Sequence, residues 1–213
     1  MEMIISRTCA ALCVAMLALV TPITGLTQDA GLYGKPVDPN GSFIRIVDIN
    51  ASSAVIAGAQ VANFTEGVSP YVTVKPGDVD MSIGSESTKV TADPGKYYTY
   101  AKLSDGQGKL YVDGVKDDPS KAQVYLYNLT DLQTVDLVVP AANATALKAV
   151  ASGTSQSVSL RAPLSLGFVI QQDGKTIAET EKIDLKRRAG FSIVLSGSKG
   201  DYHVVAAENH LSQ

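Results

Sequence analysis

The sequence predicts an all-β protein made of two tandem antiparallel β-sandwich domains related by internal duplication. Three observations predict it. No segment longer than about ten residues holds a helical period. Short β-branched or alternating runs follow one another between turn residues. Four of those runs recur in the same order in the second half of the chain.

Residues 1–30 stand apart from this pattern. Arg7 precedes the apolar run Cys9–Val20, and Pro22 ends it. The run is shorter than the roughly 20 residues a membrane-spanning helix needs, so it reads as a cleaved export signal. Cleavage is expected between Gly25 and Ala30. Cys13 follows Ala10-Ala11-Leu12, and leucine is too large for a lipoprotein cleavage site at that position. Both cysteines, Cys9 and Cys13, lie in this segment. The mature chain is therefore expected to carry no disulfide and no thiolate metal ligand, and to depend on its apolar cores.

The predicted strands follow in order. Phe43–Asp48, Tyr71–Val74, Val79–Ile83, Tyr97–Leu103 and Lys109–Val112 fall in the first half. Val124–Tyr127, Val135–Val139, Val158–Leu160, Leu166–Gln171, Lys175–Glu179, Phe191–Leu195 and Tyr202–Ala206 fall in the second. Pro76-Gly77, Asp93-Pro94-Gly95, Asp105-Gly106, Asp173-Gly174 and Lys199-Gly200 mark turns, and Asp173-Gly174 predicts a two-residue hairpin. Helix formers cluster only at Ala141–Ala151, where β-branched and small residues interrupt them.

The repeat sets Phe43–Asn50 against Gln123–Thr130, so that Ile44 matches Val124 and Ile46 matches Leu126. Tyr71–Lys75 matches Ser157–Arg161, Met81 and Ile83 match Phe168 and Ile170, and Gly95–Ala101 matches Ala189–Leu195. This divides the mature chain into a first domain (31–113), a polar linker (114–120) and a second domain (121–213). A strand alternates its faces. Ile44, Ile46, Val124 and Leu126 are then expected in the cores. Phe191, Ile193 and Leu195 also point inward, and with them Tyr97, Thr99 and Ala101. Arg45, Tyr98, Tyr100, Tyr125 and Tyr127 are expected to face out. As a group they make either a partner- or sugar-binding surface or the cover of a neighbouring strand or interdomain seam.

Composition excludes several classes. A net charge of −3 with 18% charged residues offers no basic face for nucleic acid. Tryptophan, the strongest sugar-stacking residue, is absent. No G-x-S-x-G elbow and no phosphate-cradling glycine loop occurs. The only histidines are His203, expected on the last strand, and His210, expected in a frayed tail. Asp78-Val79-Asp80 and Asp113, Asp117 and Asp118 are read as solvated acidic turns, without the spacing of a calcium loop. No catalytic residue, metal or cofactor is expected. Asn40, Asn50, Asn63, Asn128 and Asn143 open N-x-S/T triplets; these are glycan acceptors in some secreted proteins and otherwise ordinary turn residues.

Two stretches carry a resemblance. Gly31-Leu32-Tyr33-Gly34 with Gly41–Ile46, and Lys121–Asp131, resemble the two half-starts of the AlgF-type proteins of bacterial alginate O-acetylation. The resemblance spans nearly the whole mature chain. It implies a periplasmic accessory protein with no known catalysis of its own, an adaptor that binds the acetylation enzymes; a glycan-binding module presenting the polymer, and a divergent acetyl carrier using a serine or His203, are the alternative readings. Its implied partners are an exported SGNH-type acetyltransferase and a membrane O-acyltransferase, with the polysaccharide as a further candidate ligand. No residue-level functional motif transfers.

Overall fold

The computed structural model describes residue 38 and residues 40–212. The export signal, both cysteines and the Gly31–Gly34 lead-in lie outside the described residues. In the first half the strands are β1 (Ser42–Val47), β2 (Ala54–Ile56), β3 (Ala59–Val61), β4 (Val72–Val74), β5 (Gly77–Ile83), β6 (Glu86–Ala92), β7 (Tyr97–Lys102) and β8 (Gly108–Asp113). In the second they are β9 (Lys121–Asn128), β10 (Thr134–Val139), β11 (Ala144–Ala151), β12 (Thr154–Arg161), β13 (Leu164–Leu166), β14 (Val169–Gln172), β15 (Lys175–Glu179), β16 (Ile183–Leu185), β17 (Gly190–Ser198) and β18 (Asp201–Asn209).

Each half is a sandwich of two four-stranded sheets, and the orders correspond. β4-β1-β7-β8 and β3-β2-β5-β6 form the first; β12-β9-β17-β18 and β11-β10-β14-β15 form the second, with β13-β16 added. The duplication is thus visible in the topology. Each half departs from a purely antiparallel plan in the same place: β1 runs parallel to β7, and β9 runs parallel to β17. A parallel pair needs a long crossover, and the strands between its members supply one.

Apolar residues on alternate positions fill the space between the sheets. Ile44, Ile46 and Tyr98 meet Ile56, Val79 and Met81 in the first half. Val124, Leu126, Phe191 and Ile193 meet Leu137, Phe168 and Ile170 in the second. The Asp173-Gly174 hairpin forms as expected between β14 and β15, with both turn residues at positive φ (50° and 76°). Within Ala141–Ala151, the one helix-favouring stretch, Ala144–Ala151 is strand β11, because pairing with β10 overrides local propensity.

Two expectations about facing are corrected. Tyr98 and Tyr100 do not face out: Tyr98 is in the first core and Tyr100 packs against it. The ladders show why. Ile44 sits opposite Tyr98, and its counterpart Val124 sits opposite Phe191. Tyr98, not Tyr97, is therefore the equivalent of Phe191, and a slip of one residue exchanges the two faces of a strand. Thr99 and Ala101 accordingly point away from the first core. The C-terminal tail is also not frayed. Tyr71 N–H donates to the His210 carbonyl at 2.9 Å and Ser212 N–H to the Tyr71 carbonyl at 2.7 Å, so the tail lies alongside the first half.

Candidate functional site

The outward faces of β1 and β7 and of β9 and β17 are pressed together rather than exposed. Val47, Ala101 and Tyr111 from the first half pack against Tyr125, Tyr127, Val194 and Ala207 from the second. Arg45 lies in this seam with 0% exposure, and Tyr125 and Tyr127 are buried beside it. The expectation of a surface position for these three is therefore corrected. They do point away from their own cores, as the pleat requires, but the other half covers them. Of the two readings of the outward group, these three take the interdomain seam.

Arg45 uses its whole guanidinium. Nε donates to Thr99 Oγ1 (2.8 Å), Nη1 to Asn209 Oδ1 (2.6 Å), and Nη2 to Tyr127 Oη (3.0 Å) and Ser192 Oγ (2.7 Å). Three of these partners belong to the opposite half. The balancing charge is Asp113, at the end of β8, where a solvated acidic turn was expected; it is buried. Asp113 accepts from Tyr127 Oη (2.5 Å), Thr99 Oγ1 (2.5 Å) and Tyr71 Oη (2.8 Å). Cation and carboxylate are thus joined through hydroxyls, each accepting from or lying near the guanidinium and donating to the carboxylate. The Arg45 guanidinium also lies over the Tyr71 ring, 4.4 Å from its centroid.

Burial drives Arg45 toward the neutral form, but Tyr127, Tyr71 and Asp113 outweigh it and hold its pKa above the ordinary value. Burial pushes the phenols of Tyr71, Tyr125 and Tyr127 well above the usual tyrosine range, with Arg45 pulling the other way, and raises Tyr111 to about 12.

Thr99 and Ser192 occupy equivalent places in the two halves, each one residue past the core residue opposite Ile44 or Val124. That equivalence was the signal for the seam, and the one-residue slip hid it. Asp113 was missed because its neighbours Asp117 and Asp118 do lie in an exposed polar segment. Asn128, one of the five triplet asparagines, is buried; its amide donates to the Leu132 and Val150 carbonyls, each at 3.1 Å. It is no glycan acceptor in the folded chain.

Gly190 is fixed by close approach. A Cβ there would stand 2.8 Å from Asn209 Nδ2, while Asn209 Oδ1 is held by Arg45 and Ser192. Gly190→Ala is expected to lower stability by about 1–3 kcal/mol, as other overpacked positions do. Urea unfolding measures it, and an unchanged midpoint would show that Asn209 gives way freely.

Thr99, Ser192, Tyr127 and Asp113 are all buried in the seam, and their side chains hydrogen-bond to one another or to Arg45 and Asn209. His203, on the outer strand β18, has its ring 3.2 Å from Asp201 and a side chain 62% exposed. No hydrogen bond joins either histidine ring to a hydroxyl among the described residues. Among the same residues no group of three or more acidic or histidine side chains is placed to hold a metal ion. No described helix is long and apolar enough to cross a membrane.

Fold and seam together define a class: duplicated β-sandwich proteins whose two halves are locked by a buried polar network. The chain belongs to the AlgF family, described as alginate O-acetyl transferase AlgF, which matches residues 15–191. It is 26% identical to the alginate biosynthesis protein AlgF of Pseudomonas putida over 176 residues, 80% of each chain. It is 22% identical over 188 residues to the protein of the same name from Pseudomonas aeruginosa, covering 85% of this chain and 84% of that one. A solved C-terminal domain of the P. aeruginosa protein aligns with 42% of this chain and 99% of its own length, at 18% identity and a TM-score of 0.38.

Proposed function

We infer that this chain is a periplasmic, non-catalytic adaptor for the O-acetylation of alginate. In this reading it is exported by a cleaved signal and holds an exported SGNH-type acetyltransferase near the membrane O-acyltransferase that supplies acetyl groups. Membership of the family places the chain in alginate biosynthesis. The observation that carries the adaptor reading is the seam. The buried hydroxyls of Thr99 and Tyr127, which donate to Asp113, are spent on locking two sandwiches into one body. A rigid two-part body offers large outer faces at a fixed spacing, which is what an adaptor requires. Affinity comes from a few buried anchors rather than from net charge.

The test is capture of the acetyltransferase by the tagged chain, with the acetyl content of secreted polymer measured by proton NMR in cells with and without it. The expected result is direct capture, and loss of polymer acetylation without the chain. A stable acetyl adduct on one residue of the purified chain, seen by intact-mass spectrometry after incubation with an activated acetyl ester, would overturn the non-catalytic reading.

A further inference from the structure

We propose that a groove at one end of the seam captures a carboxylate carried on an extended segment of a protein partner. The inference deepens the adaptor reading and rests on it. The groove has a volume of about 250 Å³ and is lined from both halves and the linker, with Tyr71, Tyr97, Lys116, Tyr125, Arg188 and Asn209 among its walls. Such a volume is below the roughly 300–1,000 Å³ of pockets that engulf a whole ligand, and fits one or two side chains.

Its unspent hydrogen-bonding capacity identifies the guest. Tyr125 is 3% exposed, and its hydroxyl has no hydrogen-bond partner among the described residues. A buried hydroxyl left in that state is unfavourable, and a guest in the groove relieves it. Gln123 is already engaged: Nε2 donates to the Gly114 carbonyl and Ser157 Oγ, and Oε1 accepts from Lys116 N–H. Asn209 Oδ1 is taken by Arg45 and Ser192, which leaves its Nδ2 as a donor. Lys116 and Arg188 add positive charge, and no Asp or Glu lines the groove. Asp117 lies 3.5 Å from Arg188, but both side chains are well exposed, so water screens that pair. A site with surplus donors, two cations and no acid calls for an anionic acceptor, and the carboxylate is the common one.

A peptide is favoured over an acidic sugar by the rings. Tyr97 stacks on Phe43 at 4.3 Å, Tyr71 carries the Arg45 guanidinium, and Tyr125 stacks on Tyr127 at 6.3 Å. Tyr71 and Tyr125 are buried and offer no open ring face to a pyranose, and Phe43 takes one face of the half-buried Tyr97.

The test titrates the ¹⁵N-labelled mature chain with acetylated hexaglutamate, hexaglutamine and a hexauronate. Saturable shifts at Lys116, Gly190 and Asn209 are expected with hexaglutamate and not with hexaglutamine. Affinity is expected to fall at least tenfold in K116E/R188E and several-fold in Tyr125→Phe, which loses no existing hydrogen bond and keeps the fold. Absence of localised shifts, indifference to the charge reversal, or tighter binding of the uronate overturns the proposal. Capture of the acetyltransferase is assayed alongside. Equal capture by wild type and K116E/R188E leaves the adaptor standing and removes this groove as its site. No capture by wild type overturns the adaptor, while the titration still decides the groove.

Discussion

Arg45→Met is expected to lower the unfolding free energy by about 3–5 kcal/mol, and Asp113→Asn by a similar amount. Either change leaves one buried charge without its opposite. Arg45→Met also leaves Asn209 Oδ1 without the guanidinium that donates to it at 2.6 Å. The double variant Arg45→Met/Asp113→Leu is expected to cost clearly less than the two losses added. Removing both members of a buried ion pair spares the penalty of stranding either one. The cycle is informative because the charges do not touch. Their coupling passes through Thr99 and Tyr127, which accept from the guanidinium and donate to the carboxylate. Urea unfolding of the four proteins gives the coupling energy. Additivity within about 0.3–0.5 kcal/mol would show that the hydroxyls do not relay charge between them.

The second large effect is alkaline. Tyrosine in an unfolded chain ionises near pH 10. Burial holds Tyr71, Tyr125 and Tyr127 well above that, and Tyr111 at about 12. Above pH 10 the unfolded chain therefore binds fewer protons than the folded one, so stability falls as pH rises. Their contribution is fully present below pH 10 and is lost toward pH 12 and beyond. Each phenol held in this way removes on the order of 1 kcal/mol between pH 9 and 11, so the group together removes a few kcal/mol, a sizeable share of a domain's stability. Absorbance at 295 nm should show these phenols ionising in one cooperative step, coincident with loss of near-ultraviolet circular dichroism. Gradual ionisation of every tyrosine around pH 10 with the dichroism intact would contradict it.

Much of the architecture was legible because a pleated strand reports its inner face directly. Ile44, Ile46, Val124 and Leu126 lie where alternation puts them. The hairpin at Asp173-Gly174 follows from two residues that tolerate positive φ. The polar edge strand β6 and the short β2 and β3 were not legible, since pairing with neighbours rather than composition makes them strands. The candidate site was legible only in part. Alternation says that Arg45 and Tyr127 leave their own core, but it is silent about what meets them. Tyr97-Tyr98-Thr99-Tyr100-Ala101 fits either facing by hydrophobicity alone. Only matching Thr99 with Ser192, the two hydroxyls on either side of Arg45, fixes the register.

The pairing of β1 with β7 also bears on the order in which the chain can fold. All six residues of Ser42–Val47 are buried. Both of its neighbours, β4 and β7, follow within the same half, the second complete only at Lys102, and the cover over Arg45 comes only with β9 and β17. This strand, the first among the described residues, is among the last to be fully enclosed. Closing such distant contacts is entropically slow. Until then an apolar strand with unpaired backbone groups stays open to other chains, the kind of segment that invites aggregation. The polar Arg45 at its centre keeps that strand from being continuously apolar during the wait, before it becomes the residue that joins the halves.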